Sequence, residues 1–577
     1  MTRQIESVGI AGIAFLVGGA GIYSAFLILG FNLPRVAWVL TAVVLGWCFR
    51  RNLKPFAVAV SAALLLPAVF QFTHDFTFDG QMYQGPAILA LRSGWNPVWS
   101  APMDTLSLER GYFFPAMVQI NSFPKASWYS AVLLGSWFAA FEAGKAVLMF
   151  LATAVALYVG ASFRRWGMNV AQSAAFAFLG VFSPVVAVQI FSFMNDGTLG
   201  VSLFALLVAA VNSYTTKERH HQWLVVLLAA FAMNTKYSGL VFVLLLVAGL
   251  ALWEWQGRNR KKVVRWALGG VALGVLVLGA NPFVTNAFRH GNPLYPVAFA
   301  ADSQWKKRNS DQYPANFSRA WRFFKTSFLS RSANIFPDDL KSSTAKIPFA
   351  FRREEIHTFV SPDSLLAGYG PWFSGLCLFA LLGVLGLRRS LAKKWRFAFA
   401  VALGTVFSML LPIYSALYVA RLSPPLWLLP FVAVLPFFLS AERTARWFGT
   451  AFLGVAAVNL SMVLPPALLN QKNLDTTLLR ETQFLKSIGS KKPLEIVFHD
   501  VNFNEVRLRE AGVPFGVRSS DCESATSMVN SFGLTYICAG AWSPQERAAW
   551  NSIIERGDPA QVTAPLMKGW YYRLLEL

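Results

Sequence analysis

Hydrophobic runs long enough to cross a bilayer recur along most of this chain and are separated by short polar turns. A membrane-spanning helix needs roughly 20 consecutive apolar residues, a length that the runs meet repeatedly. The pattern predicts about thirteen spans, near residues 9–30, 34–49, 55–72, 142–162, 170–190, 198–213, 223–234, 238–254, 266–281, 371–387, 397–413, 424–440 and 448–466. We therefore expect an all-α polytopic membrane protein, with a transmembrane domain over residues 1–468.

Three departures from this pattern predict structure outside the bilayer. Two large loops are expected at about 73–141 and 283–370. From residue 469 onwards the composition changes, and the segments 494–499 and 534–538 have the apolar, β-branched character of buried strands. Residues 469–577 are therefore predicted to form a small extracytosolic α/β domain.

Composition and charge support a membrane protein and argue against a nucleic-acid-binding one. Hydrophobic residues make up 55% of the chain, with 50 Phe and 20 Trp, which is more than a soluble enzyme would carry. The net charge of +22 comes largely from clusters in every second short loop between apolar runs. Such clusters mark the cytosolic side of a membrane protein. They predict a cytosolic N-terminus, outer loops and tail on the other side, a bacterial inner-membrane location and no nucleic-acid partner.

The four cysteines are too few for a disulfide framework. Cys48 and Cys377 lie in apolar runs, which indicates a packing role. Cys522 and Cys538 lie in the tail and could form a bridge if the tail is extracytosolic.

A polar stretch at residues 73–97 directly follows the third predicted span and carries Asp75 and Asp79. Acids at the end of a span cost free energy, so they suggest a function. A carboxylate in this place could act as a general base on an acceptor hydroxyl. It could equally cap a helix or pair with a nearby arginine, and the sequence leaves both readings open.

Four cations are predicted to lie near the outer membrane face, where a lipid-linked phosphate would need them: Lys145, Lys236, Arg289 and Arg421. Arginine suits phosphate because its planar fork donates two parallel hydrogen bonds. Each could instead extend towards lipid headgroups. Lys236 and Arg421 are favoured because each occupies a short turn between apolar runs, where a charge needs a partner.

The sequence assigns no metal ligand and no certain cofactor, although a divalent metal is possible. Imidazole and carboxylate groups bind such ions, and several are expected on the outer side: His74, Asp75, Asp79, His290 and His357. Their spacing matches no recognised metal site. His220 and His221 are expected in a solvated inner loop.

A series of short motifs occurs in a fixed order between residues 73 and 430. The motifs are Asp79 with Tyr83, Gly94-Trp-Asn-Pro97, Phe123-Pro-Lys125, Glu142-Ala-Gly-Lys145, Asn195-Asp-Gly197, Thr235-Lys-Tyr-Ser-Gly239, Gly291-Asn-Pro-Leu-Tyr-Pro296 and Tyr418-Val-Ala-Arg421. Their order resembles that of the GT-C superfamily of polyprenyl-phosphate-sugar-dependent glycosyltransferases, which includes protein O-mannosyltransferase and aminoarabinose-transferase types. Three departures are that Gln84 replaces a His, that the usual pair of adjacent acids is split, and that two extra spans precede the motif.

The resemblance implies that Asp79 is the general base, that Asp75 can share or take this role, and that Asp196 is a second outer-face acid. It places the four outer cations near the donor phosphate. The substrate-binding residues that it implies are Tyr83, Gln84, Trp95, Asn96, Tyr237, His290 and Tyr295.

The expected function is an inverting transfer of a sugar from a polyprenyl-phosphate carrier to a hydroxyl of a glycan, lipid or protein at the outer face. The carrier would enter sideways from the membrane lipids. One alternative is a lipid-linked sugar flippase or transporter, which should carry ionisable groups near the bilayer midplane, whereas the acids here lie at span ends. A non-catalytic assembly partner in cell-envelope glycan synthesis is the other alternative.

Overall fold

The chain is a helical integral membrane protein. The computed structural model describes residues 1–100, 114–216, 218–256, 262–297, 324–333, 346–363, 367–387, 420–498, 503–518, 522, 524–529 and 535–575. Five helices in this part are long and apolar enough to cross a bilayer: Thr2–Ile28, Leu53–Phe70, Phe141–Trp166, Asp196–Thr216 and Arg443–Gly489. The expectation of a polytopic helical protein is therefore confirmed.

Further apolar helices surround these five. The shorter apolar segments are Pro34–Cys48, Val170–Val181, Tyr237–Ala251, Phe373–Gly386 and Pro424–Phe438. Two more, Val263–Leu278 and Ala280–His290, meet at an angle of 72° and form either one broken span or a re-entrant loop. The predicted span at 397–413 lies outside the described residues, so the number thirteen stays a prediction.

The predicted span 223–234 is covered by the helix Arg219–Thr235. Other described segments also fold into helices and short turns, namely Gly80–Gln84, Gly85–Arg92, Phe114–Ser122, Ala126–Gly135, Pro184–Gln189, Lys325–Leu329, Arg353–Val360 and Ala420–Leu422. Within the predicted loop 73–141, Tyr83 and Trp128 are almost fully buried. This segment therefore packs into the protein and brings its polar residues with it.

The first helix packs backbone against backbone on the helix Val147–Trp166. A Cβ atom at Gly9 would lie 2.6 Å from the backbone nitrogen of Tyr158. No side chain fits in that space, so glycine is required at this contact. The close approach fixes the N-terminal helix against the centre of the bundle.

The tail contains a four-stranded sheet in the order β2-β1-β4-β3. Its strands are β1 (Glu495–Phe498), β2 (Gly516–Val517), β3 (Ala525–Ser527) and β4 (Thr535–Cys538). The pair β1–β2 is parallel, whereas β1–β4 and β3–β4 are antiparallel. The two strands expected from the sequence are thus present as β1 and β4.

Helices cover this sheet and connect it to the membrane part. The tail helices are Phe503–Glu510, Pro544–Gly557, Pro559–Lys568 and Trp570–Leu575. Ser543 and Glu546 form a capping box at the start of Pro544–Gly557. Arg443–Gly489 runs unbroken for 47 residues through the expected boundary at 468/469, so the tail is a direct continuation of a membrane helix. The division into two domains stays a prediction.

Cys522 and Cys538 form a disulfide, with their Cα atoms 5.6 Å apart. Cys48 and Cys377 are free. We expect denatured, unreduced protein to react with two equivalents of a maleimide, and reduced protein to react with four. The bridge should stabilise the tail by roughly 3 kcal/mol, because it shortens the free loops of the unfolded chain.

The matched control for this measurement is Cys522→Ser, which should expose three reactive thiols without reduction. Four reactive thiols in unreduced wild-type protein, counted by mass spectrometry, would show that the bridge does not form.

Candidate active site

Arg421 gathers three carboxylates from distant parts of the chain. Its Nη1 atom donates to Oδ2 of Asp79 at 2.7 Å, across 342 residues of sequence. The same nitrogen lies 3.6 Å from Oδ2 of Asp196 and 3.6 Å from Oδ1 of Asp363. The side chains of Asp79 and Arg421 are 19% and 17% exposed, so both can be reached from outside. We call these four residues, together with Lys236, the Arg421 cluster.

Lys236 completes the cluster through an ion pair with Oδ1 of Asp196. Asp196 is the first residue of the helix Asp196–Thr216, whose N-terminal amides favour its negative charge. Its other oxygen accepts from Gln189 at 3.3 Å. The backbone of Lys236 is extended between the helices Arg219–Thr235 and Tyr237–Gln256. Its side chain therefore does not follow the spacing of either helix. The sequence therefore correctly grouped Asp79, Asp196, Lys236 and Arg421 on one side.

Asp363 was not identified from the sequence, because it lies in a long loop without a recognisable spacing. Burial raises the pKa of its carboxyl to about 6, opposed by Arg421 and assisted by Asp79 and Asp196. With Asp363 ionised, three carboxylates face two cations in the cluster, which leaves a formal charge of −1. Protonation of Asp363 makes the cluster neutral.

Asp75 has a different environment from Asp79. It is fully buried, and its two oxygens accept from the backbone nitrogens of Phe193 at 2.7 Å and Thr77 at 2.8 Å. A Cβ atom at Gly80 would lie 2.0 Å from this carboxylate, so only glycine fits there. Burial, with the charge of Glu142, raises the pKa of Asp75 to about 6. These contacts favour the reading in which Asp75 fixes the turn that carries Asp79.

A second basic group is Lys125, the last residue of the motif Phe123-Pro-Lys125, for which the sequence predicted no role. Lys125 is fully buried, and its Nζ atom donates to the carbonyls of Phe123 at 2.8 Å and Asn121 at 3.2 Å. No carboxylate pairs with it among the described residues. The ammonium lies 5.2 Å from the ring centre of Trp128 and 5.8 Å from that of Trp95. Cation–π contact partly replaces the lost hydration.

Arg289 and two indole groups make the surroundings of Lys125 suitable for an anion. Burial, with the positive charge of Arg289, lowers the pKa of Lys125 well below its usual value. Arg289 itself donates to the carbonyl of Ser100 at 2.8 Å. In the described part of the chain, the Nε1–H groups of Trp95 and Trp128 are buried without an acceptor. The lowered pKa favours the neutral amine of Lys125 when no anion is near, whereas a bound anion favours the ammonium form and accepts hydrogen bonds from the buried indole N–H groups.

Tyr83 lies between the two centres. Its ring centre is 6.3 Å from that of Trp128 and 5.9 Å from that of Phe123. Burial raises the pKa of its hydroxyl, and the charges of Asp79 and Asp196 raise it further. Gln84 donates to this hydroxyl at 3.4 Å, and its own Oε1 atom is buried without a partner among the residues described here. Tyr83 is thus influenced by the acids of the Arg421 cluster and packs against the aromatic residues next to Lys125, and Gln84 contacts its hydroxyl.

The other expected substrate-binding residues have structural partners. Asn96 donates to the carbonyl of Leu27 at 2.9 Å. The hydroxyl of Tyr237 lies 2.8 Å from the carbonyl oxygen of Tyr295. His290 is exposed and stacks on Tyr295 with ring centres 3.9 Å apart. Their roles towards substrate stay predictions, and only His290 presents a side chain to solvent.

The histidines considered for an outer metal do not converge. The Nδ1 atom of His74 is 3.0 Å from Asp475, and that of His357 is 3.0 Å from Thr563. Since His290 stacks on an aromatic ring and the two acids of that set have their own partners, this five-residue set forms no metal site.

The similarity of this chain to known proteins is limited. A family model described as "Domain of unknown function (DUF8201)" matches residues 129–327, and no curated protein matches. One similar solved structure is ArnT from Cupriavidus metallidurans bound to undecaprenyl phosphate, with 17% identity, a TM-score of 0.35, and coverage of 86% of this chain and 89% of that one. Its apo state matches with 16% identity, a TM-score of 0.34, and coverage of 86% and 87%.

Lys145, expected near the donor phosphate, lies instead in a buried ion-pair group with Glu142 and Arg507. Its Nζ atom is 2.9 Å from Glu142, which also accepts from Arg507 at 2.7 Å. Arg507 belongs to the tail helix Phe503–Glu510 and also donates to the carbonyl of Asp75. The structure does not bring Lys145 to the Arg421 cluster. The group instead joins the tail to the turn that leads into Asp79.

We expect Arg507→Met to destabilise the protein by about 3–5 kcal/mol, because it leaves Glu142 buried with one of its two cations missing. Thermal unfolding of the detergent-solubilised protein measures the effect. Arg509→Met, on the same helix, is the control. Arg509 is 53% exposed and pairs with Glu505 within the helix, so its loss should cost less than about 1 kcal/mol. Equal shifts in both variants would refute the anchoring role.

Proposed function

We propose that this protein is a GT-C glycosyltransferase that moves a sugar from a polyprenyl-phosphate carrier to an acceptor hydroxyl, with inversion at the anomeric carbon. One observation carries the proposal. The reachable carboxylate of Asp79 and the buried side chain of Lys125 are linked through two rings, because Tyr83 is influenced by the charge of Asp79 and packs against Trp128, whose ring centre lies 5.2 Å from Nζ of Lys125. Transfer from a phosphate-linked sugar needs both a proton acceptor and an anion-binding group.

Asp79 is the proposed base because it is accessible and, unlike the comparably exposed Asp363, directly precedes the turn Gly80–Gln84 that carries Tyr83. Its side chain is 19% exposed, whereas that of Asp196 is 2% exposed and is held by Lys236. In the reaction, the acceptor oxygen forms a bond to the anomeric carbon while the bond from that carbon to the phosphate oxygen breaks. The acceptor proton passes to Asp79. Arg421 keeps its contacts with the other two acids when Asp79 becomes neutral.

The phosphate is assigned to Lys125 and Arg289, with the indole N–H groups of Trp95 and Trp128. This differs from the expectation for Lys236 and Arg421, whose charges are already balanced by carboxylates within 3.6 Å. An anion placed there would meet three acids. Around Lys125 it would meet cations and N–H donors, which stabilise the charge that develops on the departing phosphate.

The same proposal includes the orientation in the membrane. We infer a bacterial inner-membrane protein with a cytosolic N-terminus and an extracytosolic tail domain from residue 469. The disulfide between Cys522 and Cys538 supports this side for the tail, because such bridges persist in oxidising compartments.

Asp79→Asn should lower sugar transfer by about 10²- to 10⁴-fold while donor binding is retained, because the amide cannot accept the proton. Transfer from a synthetic polyprenyl-phosphate sugar by purified protein measures this. Asp558→Asn, at an exposed helix cap of the tail, should leave transfer unchanged. Full turnover by Asp79→Asn would exclude Asp79 as the base. Donor movement across vesicles without any transfer by the wild type would favour the transporter alternative.

Donor affinity should fall as pH rises through about 6. Below that pH Asp363 is protonated and the Arg421 cluster is neutral, and above it the cluster carries a formal charge of −1 that repels the donor phosphate. We expect the dissociation constant to rise about three- to tenfold between pH 5 and pH 7. Asp363→Asn should bind at pH 7 as the wild type does at pH 5. The same pH dependence in Asp363→Asn would contradict this assignment.

A further inference from the structure

A second charged cluster lies where three other helix ends meet, apart from the candidate active site. It contains Glu6 of the first helix, Arg165 near the end of Val147–Trp166, and Glu218, His220 and His221 at the start of Arg219–Thr235. We call it the Glu6 cluster. The basic loops of the sequence put it on the cytosolic side. His221, expected to be solvated, is fully buried.

The imidazole and carboxylate atoms of this cluster have the separations of a metal-ligand set. Nε2 of His221 is 3.3 Å from Oε2 of Glu218 and 3.6 Å from Oε1 of Glu6. Nε2 of His220 is 3.1 Å from the same Glu218 oxygen. A tetrahedral zinc ion with bonds of about 2.0–2.1 Å holds its ligand atoms about 3.3 Å apart. The potential ligand atoms of Glu6, His220 and His221 all lie within 4.8 Å of one another.

Glu6 is the second observation that favours an ion. It is 3% exposed, and its Oε1 atom has no hydrogen-bond partner among the described residues. A buried carboxylate oxygen without a donor costs free energy. This oxygen faces His221, the most buried of the potential ligands, so an ion between them would satisfy it.

A further shell of polar groups orients His221. The hydroxyl of Tyr158 lies 3.0 Å from Nδ1 of His221, and Asn212 donates to that hydroxyl at 3.0 Å. Metal-binding histidines commonly have their second ring nitrogen fixed by such a partner. The arrangement directs Nε2 towards the two carboxylates.

Arg165 is the group that an ion would have to replace. It pairs with both Glu6 and Glu218, but it is 26% exposed and can turn towards solvent. With neutral histidines, two carboxylates and one guanidinium give the Glu6 cluster a formal charge of −1. A divalent cation in place of the guanidinium would therefore bind to a set carrying −2.

We propose that Glu6, His220 and His221 bind one zinc ion, with Glu218, which lies beside both imidazoles, as the candidate for the fourth position. Mixed imidazole and carboxylate ligands suit Zn²⁺ among the common divalent ions. The ion would fasten the N-terminal helix to the core of the bundle. The proposal does not rest on the transfer reaction, since none of its ligands belongs to the candidate active site.

The test is the zinc content of purified full-length protein after loading and desalting, measured by elemental mass spectrometry. We expect one zinc per chain in the wild type. In the nearly isosteric Glu6→Gln and in His221→Ala, zinc affinity should be at least about 100-fold weaker. His290→Ala, which removes an outer-side histidine, is the matched control and should keep its zinc.

Two further measurements, the visible absorption of bound Co²⁺ and the unfolding temperature, do not depend on how much of a variant can be purified. Co²⁺ bound to the wild type should give the intense visible absorption of a tetrahedral site, and zinc should raise the unfolding temperature of the wild type but not that of Glu6→Gln. Substoichiometric zinc in the wild type, or equal zinc affinity in Glu6→Gln, would overturn the proposal. The cluster would then be an ion-pair network alone.

Discussion

The candidate active site of this protein depends on a single guanidinium, that of Arg421. Arg421 contacts Asp79, Asp196 and Asp363, which come from three separate segments of the chain. Burying so many charges is tolerable only when each has partners. The turn that carries Asp79, the helix that begins at Asp196 and the segment that carries Asp363 therefore hold one another in place. Loss of Arg421 would leave three carboxylates facing Lys236 alone.

The acidic groups and the basic groups of the candidate site lie in separate places. Acids dominate around Arg421, whereas Lys125 and Arg289 have cation and N–H surroundings, and the buried ring of Tyr83 adjoins both. A neutral hydroxyl fits the acidic side and a phosphate fits the basic side. The tail also supports this arrangement. Arg507 of the tail donates to the carbonyl of Asp75 and pairs with Glu142, which fixes the tail to the turn before Asp79.

Local patterns predicted much of the fold, and long-range partners explain what they missed. Apolar runs predicted the membrane helices, and the apolar segments 494–499 and 534–538 form the strands β1 and β4. Asp79 and Arg421, both predicted to lie on the outer side, are in contact. Lys145 was placed near the phosphate because its motif resembles that of relatives, but its partner Arg507 lies in the tail, far along the sequence. Neither the contact of Asp363 with Arg421 nor the lack of a paired acid at Lys125 among the described residues is visible without the fold, since both depend on residues distant in sequence.

The central claim is that the donor phosphate binds at Lys125 while the Arg421 cluster supplies the base. Binding of polyprenyl phosphate tests this claim most directly. This lipid carries the anion but no sugar, so its affinity reports the phosphate site without the reaction. Titration calorimetry should show at least about tenfold weaker binding by Lys125→Gln, and a change of less than about threefold in Lys236→Gln. Strong loss of binding in Lys236→Gln with Lys125→Gln unaffected would contradict the account and return the phosphate to the Arg421 cluster.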